Sequence, residues 1–157
     1  MALDALLKTA HVLGAILFVG NVIITGIWSA IFWRSRHTHD FQRAARAIVI
    51  TDWWFTVGGG ALLTTSGVTL ALLRGLPLWD TLWIRLGLLA LGTSTVLWLV
   101  ILVPAQRTMV QHTGGADDAA LVRAYARWNL WGWTATAPLV FAVWCMVAKP
   151  VLSLIHI

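Results

Sequence analysis

The sequence predicts an all-α fold, a polytopic membrane four-helix bundle formed as a single domain over 1–151. Three observations carry this reading. Hydrophobic residues make up 59% of the 157 positions and charged residues 11%, against about 45–50% and about 25% in soluble domains. The apolar residues fall in four long blocks, and a helix needs roughly 20 apolar residues to cross a bilayer. All of the cations except Lys8 and Arg85 lie outside these blocks. Four such spans occupy most of the chain and leave no room within it for a second, aqueous catalytic domain.

The first span covers about 6–33. Its apolar block continues well past the h-region of a signal peptide, so it reads as a span and not as a cleaved leader. His11, Gly14, Phe18, Asn21, Thr25 and Ser29 follow at intervals of 3, 4, 3, 4 and 4, which returns them to one helical face. That face looks into the bundle: Gly and Ser let a neighbouring backbone approach, and Asn21 and Thr25 hydrogen-bond across it.

The second span covers about 52–73 and places Asp52, Thr56, Gly59, Leu63 and Ser66 on one face. Gly60-x-x-x-Thr64 and Ala61-x-x-x-Thr65 predict a close helix crossing. Asp52 stands at the mouth of the span, at the level of Arg46, Arg107 and Arg127, which predicts an ion pair or a helix N-cap, with a proton relay as the functional alternative. The third span, about 78–103, ends before Pro104 and carries Arg85 two turns inside its outer end, where a cation must snorkel or find a partner. The fourth, about 128–148, adds the bundle-facing Asn129 and is kinked by Pro138, which frees a backbone carbonyl.

The loops set the orientation. Arg34, Arg36, Arg43 and Arg46 lie between spans one and two, and Arg107, Arg123 and Arg127 between three and four. The opposite side carries Lys8, Arg74 and Lys149. Seven cations against three place both long loops in the cytoplasm and both termini outside. Trp33, Trp53, Trp54, Trp128, Trp131 and Trp133 near one set of span ends, and Trp79, Trp83 and Trp144 near the other, read as interface anchors. Phe41, Ala44, Ala45, Ile48 and Val49 form the apolar side of a helix lying along the membrane surface. The second loop breaks at Thr113-Gly114-Gly115 and restarts at Asp117 as an N-cap.

With net charge +5 in this setting, the expected partners are the lipid bilayer and a homo-oligomer or another membrane protein, and not nucleic acid. His37, His39, Asp40 and His112 lack the ligand count of a metal site, so no metal is expected. Lone Cys145 excludes an intrachain disulfide. The last six residues, 152–157, match a translation of the transposase end sequence of common sequencing adapters. They are expected to be an artefact standing where a short natural tail belongs.

The runs Lys8-Thr9-Ala10-His11-Val12-Leu13-Gly14-Ala15-Ile16-Leu17-Phe18-Val19-Gly20-Asn21, Thr25-Gly26-Ile27-Trp28, Thr51-Asp52-Trp53 and Arg127-Trp128-Asn129-Leu130-Trp131-Gly132 resemble a bacterial family of predicted integral membrane proteins, domain-of-unknown-function family 2269. The resemblance implies a four-helix protein of the bacterial inner membrane with no assigned activity. More distantly, Lys8, His11 and Gly14 are similar to the first span of the membrane-haem protoporphyrinogen oxidases, which implies His11 as a haem ligand and Lys149 as the counterpart of that family's late Lys. Two functions follow: a helix-bundle scaffold or accessory protein, and a small b-haem-binding or quinone-linked redox protein. In the second, His11 ligates haem b, Arg85 meets its propionates, and Met146 or Lys149 supplies the other axial ligand.

Overall fold

The computed structural model describes residues 2–37, 39–112 and 118–150. Helix α1 is Ala2–Trp33. Helix α2 (His39–Thr51) runs without a break through a π-helical segment, π1 (Asp52–Val57), into α3 (Gly58–Leu73). Likewise α4 (Leu82–Leu97) passes through π2 (Trp98–Leu102) into α5 (Val103–His112), and α6 is Asp118–Ala148. The result is four long helices, each long and apolar enough to cross a membrane. The described residues contain no strand.

Two elements differ from the sequence reading. The segment expected along the membrane surface instead extends the second long helix. Phe41, Ala45 and Ile48 are buried, with Phe41 and Ile48 in one cluster with Leu102, Met109, Leu121 and Trp128. An apolar stripe beside other helices gains more by packing on them than by facing headgroups. The third long helix also continues past Pro104. At π2 the Val103 N–H bonds to the Trp98 carbonyl, five residues back, and a widened turn accommodates a residue that lacks an N–H and crowds the preceding turn. Gln106 is thereby kept in register with the bundle.

Packing is pairwise. Helix α1 lies along α3, and α4 lies along α6. The pairs join where α2 meets α5 and where α1 meets α6, while α3 has no close backbone contact with α4 or α6 among the described residues. In α1 the buried positions are Gly14, Phe18, Asn21, Thr25 and Ser29, the face expected from their spacing. The tight crossing is at Gly14 and Gly59. A Cβ on Gly14 would stand 2.6 Å from the Leu63 backbone nitrogen and 2.9 Å from the Gly59 carbonyl oxygen, and one on Gly59 would stand 3.0 Å from the Phe18 nitrogen. Gly60, by contrast, would meet only the Phe18 ring at 3.8 Å. The expected small-residue contact is shifted by one position, because the helix turns Gly59 and not Gly60 onto α1.

Helix α3 ends in a Schellman motif, with Gly75 at φ +65°. The Leu76 N–H bonds to the Ala71 carbonyl and the Gly75 N–H to the Leu72 carbonyl, a left-handed turn for which glycine is best suited. Asp4 holds Arg74 at 2.7 Å and Lys8 at 3.6 Å, tying the start of α1 to the end of α3. In the other pair the Ser94 hydroxyl donates to the Ala135 carbonyl, so a neighbouring helix secures the stretch that Pro138 disturbs. The Thr134 and Thr136 hydroxyls bond back within α6, to Leu130 and Gly132.

At the Arg-rich end Trp33 stacks on Tyr125 at 3.8 Å, and the Arg36 guanidinium stands 5.0 Å above the Trp33 ring. Trp128 is 5% exposed. These two indoles serve the core, unlike the expected interface anchors, whereas Trp53, Trp54, Trp79, Trp133 and Trp144 are exposed. The break expected at 113–115, the N-cap expected at Asp117 and the residues at 152–157 lie outside the described residues, as do the side chains of His39 and Asp40.

Candidate functional site

Asp52 opens π1 at the level where both helix pairs meet, and it is buried. Asn21 Nδ2 donates to its Oδ1 at 2.8 Å, and Thr56 Oγ1 donates to the same oxygen at 3.3 Å. Gln106 Nε2 donates to Oδ2 at 2.6 Å and Trp98 Nε1 at 3.4 Å. Asn21 also reaches Thr56 Oγ1 at 3.0 Å. The carboxyl group therefore collects donors from α1, from its own helix, from π2 and from α5. Each carboxylate oxygen offers about two acceptor directions, and the two long bonds, from Thr56 and Trp98, are the weak ones.

No salt bridge reaches Asp52 among the described residues. Arg46, Arg107 and Arg127 are exposed, so the ion pair expected from their level is not made. Nor does Asp52 cap a helix, since the residue before it is already helical. A long charged side chain gains little by leaving water for a site already filled with neutral donors.

Both π segments converge here: π1 contributes Asp52 and Thr56, and π2 contributes Trp98. Single π turns inside α-helices recur at functional sites because they re-aim side chains that a regular helix would carry past one another. Beside the carboxylate lies a cavity of about 40 Å³, lined among others by Thr25, Asp52, Gln106, Trp128, Asn129 and Thr136. A water needs on the order of 10–15 Å³ of such space. A second cavity of about 280 Å³ adjoins it between the helix pairs. Val22, Thr56, Trp98, Leu102 and Gly132 line both. The larger one is mostly apolar, with Phe18, Leu91 and Leu139 in its walls and the hydroxyl-bearing Thr56, Thr64, Ser94 and Thr95 as exceptions.

A family model described as a predicted integral membrane protein matches residues 5–150. The chain belongs to that family, DUF2269. No curated protein and no solved structure matches the chain. The matched region of this DUF2269 member contains the four long helices, apart from the first three residues of α1, and every residue of the Asp52 network.

Of the bundle-facing polar residues read from the sequence, the fold brings Asn21, Asp52 and Thr56 into one network. Thr25 and Asn129 line its cavity, with the Thr25 hydroxyl bonded to the Asn21 carbonyl at 2.8 Å. The residues read as a haem site make their described contacts within two different helix pairs. His11 Nδ1 lies 2.8 Å from the Leu63 carbonyl oxygen, and its ring covers Gly67, both within the α1–α3 pair. In the α4–α6 pair Met146 packs on Gly87, Lys149 stands 5.7 Å above the Trp83 ring, and Arg85 donates to the Trp79 carbonyl at 3.1 Å. None of the described contacts joins His11 to these three, and none of the four lines either cavity.

Gln106, Trp98 and Trp128 belong to the site and were missed in the sequence. Pro104 read as a terminus, which put Gln106 in a loop, Trp128 near a span end read as an anchor, and Trp98 lay within an apolar block with nothing to single it out. The available signal was a Gln on a helical register past Pro104, two turns beyond Trp98.

Proposed function

We propose that this protein is an accessory membrane protein that binds a small apolar molecule between its two helix pairs, with the Asp52 network as the polar end of the site. The carrying observation is the 280 Å³ apolar cavity adjoining a buried, hydrogen-bonded carboxylate. The cavity is a cleft, partly open where α3 makes no close backbone contact with α4 or α6, so a molecule dissolved in the bilayer can enter it. Helices serving only as a scaffold gain from closing such a space, whereas ligand sites are apolar clefts with a few placed polar groups. An ionisable residue inside a membrane segment supports the same reading. Wild type and Gly60→Leu, whose new side chain projects into the cavity beside Phe18, are purified in lipid nanodiscs and analysed by native mass spectrometry. Wild type is expected to retain an apolar adduct that Gly60→Leu loses. Wild type without an adduct, or equal retention by both, overturns the reading.

We further propose that the protein sits in a bacterial inner membrane with both termini outside. Six exposed arginines, Arg34, Arg43, Arg46, Arg107, Arg123 and Arg127, gather at one end of the bundle, and at the other end Arg74 and Lys8 are paired with Asp4. Cytoplasmic loops carry the excess of Lys and Arg. Reporter fusions after Arg46 and after Gly75 are expected to give cytoplasmic and external signals respectively, and the reverse pattern rejects this orientation.

A further inference from the structure

The polar side chains in the wall of the 280 Å³ cleft are Thr56, Thr64, Ser94, Thr95 and Trp98, and each already donates elsewhere. Thr56 and Trp98 donate to Asp52, and the other three to the carbonyls of Gly60, Ala135 and Leu91. A ligand in the cleft therefore meets no free side-chain donor. Depth disfavours a polar head there as well. On the third long helix the cleft extends from Leu91 to Leu102, about 16 Å at 1.5 Å per residue, and it stops six residues short of Arg85 and five short of Arg107. In a hydrocarbon layer about 30 Å thick this is the middle of the bilayer, the region of lipid chains and not of heads.

Charge decides which lipid supplies the chain. At one end of the bundle the cations are engaged: Arg74 and Lys8 with Asp4, Arg85 with the Trp79 carbonyl, and Lys149 over the Trp83 ring. At the other end Arg43 and Arg46 of α2 and Arg107 of α5 are exposed and form no salt bridge among the described residues. The seven arginines of that end outnumber Asp40, Asp117 and Asp118. The contact of α2 with α5 closes the cleft there, while the gap between α3 and α4 leaves its side open to the bilayer. We infer that the cleft holds one acyl chain of an anionic phospholipid from the leaflet at the Arg-rich end, the chain entering between α3 and α4 and the phosphate staying outside against the arginines of α2 and α5. Exposed guanidinium groups favour a phosphodiester, and a zwitterionic head brings a competing cation of its own. The inference rests on the apolar-ligand reading above and names the occupant; the 40 Å³ space beside Asp52 is not part of it.

Lipid titration of the full chain provides the test. The detergent-purified protein is titrated with phosphatidylglycerol, with phosphatidylcholine of the same chains and with hexadecane, and bound species are counted by native mass spectrometry. Wild type is expected to bind one phosphatidylglycerol about tenfold more tightly than phosphatidylcholine, the attraction of one or two arginines. Arg46→Gln combined with Arg107→Gln is expected to bring phosphatidylglycerol to the phosphatidylcholine level and to leave phosphatidylcholine unchanged. Gly60→Leu, and Ala61→Leu in the same wall, are expected to weaken both lipids by filling the place of the chain. In nanodiscs, phosphatidylglycerol carrying a nitroxide at mid-chain is expected to broaden the ¹⁵N-indole signal of Trp98, and Gly60→Leu to relieve that broadening while the signal of exposed Trp54 stays broad. Equal affinity of wild type for the two lipids overturns the anionic head and leaves the apolar site standing. A phosphatidylglycerol preference untouched by Gly60→Leu and Ala61→Leu assigns the lipid to the outer surface and overturns the chain in the cleft. Hexadecane bound without either lipid also overturns the inference, and failure of all three probes removes the apolar site as well.

Discussion

Gly14→Leu is expected to abolish folded protein in detergent, while Gly60→Leu remains folded. The two glycines belong to the same helix pair, but a Cβ on Gly14 would come within 2.6 Å of the Leu63 nitrogen and 2.9 Å of the Leu63 Cα. Those are backbone atoms in a helix and cannot rotate away, so α1 and α3 must separate along their length. Overpacking typically costs about 1–3 kcal/mol, and more where the backbone has to move. Separation also carries the His11 ring from the Leu63 carbonyl and Asn21 from Asp52. At Gly60 the new atom meets only the Phe18 ring at 3.8 Å, and leucine replaces glycine in a helix, which favours the helix. Thermal unfolding followed by size-exclusion chromatography checks the contrast. Equal unfolding temperatures would show that the crossing is not where α1 and α3 touch.

Asp52→Leu is expected to destabilise the protein by about 1–3 kcal/mol for each donor stranded in the interior. Gln106 and Trp98 lose their bonds to Oδ2, and Asn21 loses Oδ1 while keeping Thr56. Asp52→Asn retains an acceptor oxygen and is expected to lose less. The decisive variant combines Asp52→Leu with Gln106→Leu and Asn21→Leu, since removing donors and acceptor together is close to neutral where removing one side is costly. Recovery of most of the lost stability in the triple variant identifies hydrogen-bond satisfaction as the term at work. A triple variant as unstable as the sum of its parts would assign the loss to packing instead.

Four membrane helices were legible from composition and block length alone, because the bilayer imposes its thickness on any chain that crosses it. The inward face of α1 was legible too. Its small and polar residues recur with the period of a helix, and lipid cannot satisfy them, so Gly14, Phe18, Asn21, Thr25 and Ser29 had one place to go. The same logic selected Asp52 and Thr56, while the match of residues 5–150 to an integral membrane family agrees with the membrane reading alone.

Tertiary structure decided what those residues meet. Asp52 was expected among arginines because residues at one depth read as neighbours, yet depth does not give the direction a side chain points around its helix. Two π turns change that direction, and nothing in a hydrophobic pattern announces them. They bring Trp98 and Gln106 to the carboxylate and carry the third helix past Pro104, a residue that by its own chemistry reads as a stop. The amphipathic stripe of 41–49 fits a membrane surface as well as a partner helix until the partner is present, and here α5 and α6 supply it. The cavities, and the contacts that His11 makes in one helix pair and Met146 in the other, are properties of how the helices pack. The period of a sequence fixes which face of a helix is turned inward, but the distance between inward faces is set only when all four helices are packed.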